Sequence, residues 1–233
     1  MSSDYGYIPQ AIHPELADVR SRFVARTYMH LLGAILAFTG LEVFLFQSGM
    51  AASIAQAMLG TSWLLVLGGF VVVSWIASRV AHTVKSVPAQ YAALAAFVVA
   101  EAIVFVPLLF IASVTAPGVI KSAASVTLFG FAGLTAVAMI TRKDFSFLRS
   151  LLMWGGIVAL VLIVAGTIFG FDLGTYFSVA MVALAGASIL YDTSNVIHHF
   201  PEDRYVAAAL ELFASVALMF WYVLRLFIGG SRD

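Results

Sequence analysis

Long apolar runs, broken by short polar or glycine-containing segments, dominate the pattern of this chain. About 20 apolar residues in helical form cross a ~30 Å hydrocarbon core, because each residue of a helix rises ~1.5 Å. A helix also satisfies its own backbone polar groups, which lipid cannot do. The runs of that length are Tyr28–Gln47, Ser62–Arg79, Pro88–Ala112, Ser122–Thr141, Ser150–Phe171, Gly174–Ile197 and Tyr205–Ile228. The pattern therefore predicts an all-α integral membrane protein, a bundle of seven transmembrane helices.

Composition strengthens this prediction. Hydrophobic residues make up 62% of the chain, charged residues only 10%, and the mean hydropathy is +1.03. A soluble domain carries about a quarter charged residues, so this chain has too few to cover a water-facing surface. The lipid bilayer is thus its main partner. The formal net charge of zero gives no electrostatic footprint for nucleic acid.

Three regions are predicted along the chain: a polar N-terminal tail over residues 1–26, a membrane domain over residues 27–229 and a short C-terminal tail over residues 230–233. The N-terminal tail contains Pro9 and Pro14, mixes charges and lacks apolar periodicity. Such a segment is predicted to be disordered and dispensable for folding.

The distribution of lysine and arginine predicts the orientation. With seven spans, the N-terminus shares one side of the membrane with the second, fourth and sixth loops. That side carries Arg20, Arg22, Arg26, Arg79, Lys85, Arg142, Lys143, Arg149 and Arg204, whereas the other carries Lys121, Arg225 and Arg232. Cytoplasmic segments are enriched in basic residues. We therefore expect a cytoplasmic N-terminus and a C-terminus outside.

Four carboxylic acids fall inside the predicted spans, where a charge at the bilayer centre costs at least about 2.5–3.5 kcal/mol. Glu42 is one turn from the end of the first span and is expected to extend to the interface. Glu101 lies roughly 20 Å along the third span and is too deep to do so. It is either a hydrogen-bonded structural carboxyl or part of an ion pathway.

Asp192 and Glu211 form the more informative pair. Each lies ~9–10 Å from the same short loop, one before it and one after it, on helices expected to pack antiparallel. The two carboxyls are therefore predicted to face each other and to share a proton, which would make the contact sensitive to pH. Arg79 closes the second span on that side and is a candidate counter-ion. The alternatives are that each carboxyl turns separately toward the headgroups and that Arg79 is an ordinary interfacial anchor.

Two sequence motifs give a resemblance. The stretch Ile189-Leu190-Tyr191-Asp192-Thr193-Ser194-Asn195-Val196-Ile197-His198 resembles the sixth-span signature of the Bax inhibitor-1 (TMBIM) family. The segment Thr141-Arg142-Lys143-Asp144-Phe145-Ser146-Phe147-Leu148 is similar to the family's connection between the fourth and fifth spans. Arg26-Thr27-Tyr28 and Leu224-Arg225-Leu226-Phe227 also fit, and the resemblance covers about residues 20–233. The chain looks most like the bacterial YccA branch.

The resemblance implies a seven-helix fold in which the last helix is central and the other six surround it. It also implies, for several members, a pH-sensitive calcium leak built on two aspartates, one on each of the last two spans, linked to an arginine on the second span. Asp192 matches the first aspartate, but Ser215 stands at the position of the second. Glu211 lies one turn nearer the cytoplasm on the same helix face and is a candidate replacement. The YccA branch likewise lacks the second aspartate, and its resemblance implies a modulator of the FtsH-type membrane protease.

Two functions follow as hypotheses. The first is an inner-membrane modulator of an FtsH-type protease, with the N-terminal tail as a handle for that partner. The second is a pH-sensitive calcium leak with a pathway through Asp192, Glu211, Arg79, Glu101 and Ser215. No catalytic motif and no cysteine is present, so the sequence predicts neither an enzyme nor a resident metal or cofactor. Calcium enters only as a transported ion.

Overall fold

The computed structural model describes residues 14–230, and all of their regular secondary structure is α-helical. The helices are α1 (Pro14–Gln47), α2 (Met50–Leu59), α3 (Trp63–Thr83), α4 (Val87–Thr115), α5 (Val119–Thr141), α6 (Leu148–Phe169), α7 (Gly174–His198) and α8 (Tyr205–Gly230). Within this range, seven of them are long and apolar enough to cross a membrane; the short helix α2 is not. The predicted seven-helix membrane bundle is confirmed.

The first helix begins much earlier than the hydrophobic pattern indicated. Helix α1 starts at Pro14, so the disorder predicted for residues 1–26 is wrong for residues 14–26; residues 1–13 lie outside the described residues. The added turns are amphipathic and pack on the bundle, because Phe23 is only 2% exposed. Arg20 donates from Nη1 to the carbonyl oxygen of Phe200 at 2.7 Å, just beyond the end of α7.

Helix α2 was not predicted. Its ten residues follow Gly49, whose φ of 77° lets the chain turn sharply after α1. Ala51 and Ala55 bury one face of α2 and cluster with Val106 of α4. A helix this short gives too little apolar length to span a bilayer, so the hydrophobic pattern showed only a break between two spans.

Helix α8 is the centre of the bundle, as the family resemblance implied. Most of its residues are buried, including the consecutive small residues Ala207, Ala208 and Ala209, which let neighbouring helices approach closely. Helices α1, α3, α4, α5 and α7 pack directly against α8. Helix α6 instead packs on α7 and, sparsely, on α3, so α8 is surrounded by five spans and by a cavity where the sixth would be.

Arginine side chains close the helix ends on one face of the bundle, which we call the basic face. Arg204, ahead of α8, donates from Nη1 to the carbonyl oxygen of Val84 at 2.7 Å. Val84 is the residue directly after α3. Arg20 makes the corresponding bond beyond α7. The last carbonyls of a helix have no partner inside the helix and carry partial negative charge, so a guanidinium there both caps and neutralises them.

Candidate functional site

The contact between α7 and α8 contains a buried polar pair. Asp192 is 8% exposed and Ser215 is 6% exposed. The Ser215 hydroxyl donates from Oγ to Oδ2 of Asp192 at 2.5 Å. A hydrogen bond of this kind gives the buried carboxyl a partner inside the protein. The residue at the position of the family's second aspartate therefore does touch Asp192, but through a hydroxyl.

Glu211 does not form the predicted hydrogen-bonded pair with Asp192. Asp192 is bound by Ser215, and Glu211 binds a different partner. Its Oε1 lies 2.8 Å from Nε2 of His82, near the end of α3. About a third of each side chain is exposed, so this pair lies at the edge of the site and is less enclosed than Asp192 and Ser215.

His82 is the functional candidate that the sequence reasoning missed. Its Nδ1 lies 2.8 Å from the backbone carbonyl oxygen of Ser78, which can only accept, so Nδ1 must carry a proton. Nε2 and the Glu211 carboxyl then need one more proton between them, held by either group. The contact between His82 and Glu211 therefore depends on a proton that lies between the two side chains. The predicted second span ended at Arg79, which placed His82 in a loop and not among the intramembrane polar residues.

Arg79 does not reach Asp192. Its guanidinium lies over the ring of Trp75 at 5.5 Å, and the side chain is exposed. The buried face of α3 runs through Ala77 and Ala81, and Arg79 is about 200° around the helix from Ala77. The side chain thus points away from the bundle. The predicted role as counter-ion for Asp192 is not observed, and the role as an interfacial anchor agrees with its position.

A cavity of about 940 Å³ lies between α8 and α6, closed by parts of α3, α4 and α7. Along α8 it extends from Leu210 to Arg225, or about 22 Å at ~1.5 Å per residue. Its wall includes Glu101, Glu211 and Ser215, and Asp192 lies behind Ser215. The structure therefore brings four of the five predicted site residues to one place and leaves Arg79 outside.

Glu42 was expected to extend to the interface, and this prediction is wrong. Its side chain is buried, with 7% exposed, and neither carboxyl oxygen has a hydrogen-bond partner among the described residues. It is not part of the cavity wall. Within residues 14–230, no group of three or more histidine, aspartate or glutamate side chains is arranged to hold a metal ion.

The segments that carried the resemblance meet in space. Ser194 of α7 accepts from the backbone amide of Phe145 at 2.9 Å, which fixes the α5–α6 connection onto α7. His199 and Asp144 pair across the same contact at 3.0 Å. Tyr28 of α1 lies 3.3 Å from the hydroxyl of Thr193. Two motifs separated by some fifty residues are thus parts of one contact on the basic face.

The carboxyl of Asp144 is held by its own turn. The backbone amide of Ser146 donates to Asp144 Oδ1 at 2.8 Å, and Nε2 of His199 lies 3.0 Å from Asp144 Oδ2. These contacts lower the pKa of Asp144 below its usual value, the Ser146 amide contributing most.

The family described as "Inhibitor of apoptosis-promoting Bax1", Bax inhibitor-1, matches residues 20–233. The chain belongs to the Bax inhibitor-1 family. Among curated relatives, "Modulator of FtsH protease YccA" of Escherichia coli K12 is 34% identical over 116 residues, 49% of this chain and 52% of the relative. An uncharacterised protein of Pseudomonas aeruginosa is 36% identical over 117 residues, with 49% and 52% covered. An uncharacterised membrane protein of Vibrio cholerae is 29% identical over 117 residues, with 47% and 49% covered.

These matches span about half the length of the curated relatives and about half of this chain. They agree with the bacterial YccA branch that the motifs indicated. Together with the seven apolar helices, they make the chain a multi-pass membrane protein of the Bax inhibitor-1 family.

Proposed function

We propose that this protein is a bacterial inner-membrane modulator of an FtsH-type membrane protease, with its N-terminus in the cytoplasm and its C-terminus outside. The Escherichia coli relative is named a modulator of that protease, and a second Escherichia coli relative is named an inner membrane protein. The basic face, with its capped helix ends, is the side that would meet the cytoplasm.

The bond between Ser215 and Asp192 carries this proposal. A contact between two carboxyls holds only while a proton is shared and opens when both ionise. A serine hydroxyl donates to an aspartate in either protonation state, so the α7–α8 contact stays closed as pH changes. A bundle that keeps this contact closed is suited to presenting a fixed surface to a partner, more than to opening a proton-gated path.

Turnover of a membrane substrate in cells with and without the protease tests the proposal. A deletion reaching residue 26 would remove Arg20 and Phe23 and would damage the bundle, so the informative deletion covers residues 2–13. We expect this deletion to leave the protein folded and to weaken its effect on turnover. A scrambled segment of equal length and composition is the control and should keep the effect, because a protease handle needs length more than sequence.

Unchanged turnover after the deletion, or failure of the full-length protein to copurify with the protease, would contradict the modulator function.

A calcium leak is the second candidate, and the long cavity is what favours it. Glu101, Glu211 and Ser215 share one wall of that cavity. Purified protein in liposomes, without a partner, should then pass calcium, and the flux should differ between about pH 6 and about pH 8. Asp192→Asn should remove the difference. Liposomes that stay tight at both pH values would leave only the modulator function.

A further inference from the structure

The cavity beside α8 holds an acidic group that the protein itself leaves without a partner. Glu101 is 8% exposed and lines the cavity, and no hydrogen bond or ion pair reaches it from residues 14–230. The other acidic groups around the cavity are paired: Glu211 with His82 at 2.8 Å, and Asp172 with Arg225 at 3.1 Å. An ionised carboxylate without a counter-ion is costly at this depth, so a cation seated beside Glu101 would supply what is missing.

Aromatic rings flank this carboxyl along its own helix. Phe97 and Phe105 lie four residues before and after Glu101, which places all three on one face of α4. All three line the cavity. The Phe97 ring is 6.1 Å from that of Phe70 on α3, and the Phe105 ring meets Trp221 of α8 edge to face at 5.0 Å.

The aromatic wall continues toward the far end of the cavity. Trp63 and Trp221 stack with ring centroids 6.0 Å apart and planes 23° from parallel. Phenylalanine and tryptophan faces attract cations, most strongly when both are removed from water. This cavity thus matches the two parts of an organic cation. The single buried carboxyl can face its charged centre, and the apolar, aromatic wall can surround its hydrophobic body.

The same wall lacks the oxygen ligands that would hold a bare metal ion at a fixed binding site, as distinct from letting one pass. Calcium takes six to eight oxygen ligands. Around Glu101 the cavity wall is mostly aliphatic and aromatic, and the oxygens of Glu211 and Ser215 already serve His82 and Asp192. The volume of about 940 Å³ is at the upper end of the range for small-molecule sites.

We propose that this cavity binds a lipophilic organic cation, with Glu101 as its counter-charge and the rings of Phe97, Phe105 and Trp221 around its apolar body. The site is separate from the protease-modulator function and does not rest on it.

Equilibrium dialysis of tetraphenylphosphonium against the purified full-length protein in nanodiscs tests the proposal. We expect saturable binding at one site per chain. Glu101→Gln removes the charge at nearly constant shape and should weaken binding about tenfold or more. Glu42→Gln is the matched control, because Glu42 is also a buried carboxyl without a partner among the described residues but lies outside the cavity. It should bind like the unmodified protein.

A second pair of variants covers the case in which Glu101→Gln does not fold. Gly156 lines the cavity, and a Cβ there would meet no atom within 4 Å. Gly156→Leu should therefore fill the cavity and abolish binding without disturbing the packing. Gly133→Leu, at a helix position with the same open surroundings away from the cavity, should have no effect.

Triphenylphosphine oxide, a neutral aromatic compound of similar body, completes the test and should bind far more weakly. Equal binding of the neutral compound would show a cavity selective only for apolar shape and would overturn the proposal. So would the absence of saturable tetraphenylphosphonium binding, or unchanged binding in folded Glu101→Gln or Gly156→Leu protein.

Discussion

The two faces of α8 differ in how they treat polar groups. On the face toward α7, Asp192 and Ser215 are buried and bound to each other. On the face toward α6, the backbones separate around a cavity, and Glu101 lines it without a partner. Pairing inside the membrane removes a cost and stabilises the fold, whereas an unpaired group retains its capacity to bind something else. The packed face is therefore where substitutions should destabilise, and the open face is where they should change binding.

The largest difference is expected from equal increases in volume on the two faces. Ala209 is fully buried in the packed part of α8, whereas Ala214 lines the cavity. Ala209→Leu should cost about 1–3 kcal/mol by overpacking, and Ala214→Leu should stay within about 0.5 kcal/mol. Unfolding of both variants by denaturant in the same detergent measures this. Equal losses would contradict an open cavity beside Ala214.

Removal of the buried hydroxyl should come next in size. Ser215→Ala leaves the Asp192 carboxyl without its donor, at a cost of about 1–3 kcal/mol. Ser215→Thr keeps the hydroxyl and serves as the control. Ser215→Asp restores the family's carboxyl pair, so its stability should fall as pH rises and both groups ionise. A flat pH profile for Ser215→Asp, measured from about pH 5 to about pH 8, would contradict a direct contact at this position.

The pair between His82 and Glu211 should contribute less, because about a third of each side chain is exposed. We expect Glu211→Gln and His82→Ala each to cost about 1 kcal/mol or less. A double-mutant cycle isolates the contact, and a coupling energy near zero would show that each group acts alone. Arg79→Gln is the control at the same end of α3. It should show no coupling energy with Glu211→Gln, because Arg79 faces away from the bundle.

The smallest effect is expected outside the spans, at Asp144. Its pKa lies below the usual value, so its contacts stabilise the fold above the pKa of an unfolded aspartate, about 3.9, and this stabilisation is lost as pH falls through the folded-state pKa. The difference in Tm between the unmodified protein and Asp144→Asn should therefore be present at about pH 7 and should vanish toward about pH 3. A difference that grows on acidification would reverse this sign.

The sequence predicted the seven spans well because each depends on local hydrophobicity, which needs no knowledge of neighbours. It failed for residues 14–26, whose helix is amphipathic and packs on the bundle, and for α2, which is too short to give a membrane signal. At the site, depth could be read from spacing, so Asp192 was correctly placed beside α8. Rotation about the helix axis could not, which is why Arg79 was expected inside. His82 was missed for a different reason: the predicted span ended at Arg79, whereas the helix continues to Thr83.

The cavity lay beyond any sequence argument, because it results from the distance between α6 and α8 and not from a property of either helix alone. Spacing placed Glu101 too far along its helix to reach the interface, and the alternatives left open for it were a hydrogen-bonded group and a pathway residue. The structure buries its side chain, which is 8% exposed. In the structure, Glu101 receives no hydrogen bond from the described residues. Two aromatic residues of its own helix, Phe97 and Phe105, lie on either side of it. Those two rings were visible in the sequence as neighbours at four-residue spacing, but only as ordinary apolar bulk.

Two of the basic residues that indicate the membrane orientation also hold the fold together. Arg20 and Arg204 are bound to backbone carbonyls beyond α7 and at the end of α3. Neutralising either arginine would therefore weaken the predicted cytoplasmic bias and also leave a backbone carbonyl without its donor. A test of orientation by charge reversal is cleaner at the other basic residues of that side, whose replacement leaves these two bonds intact.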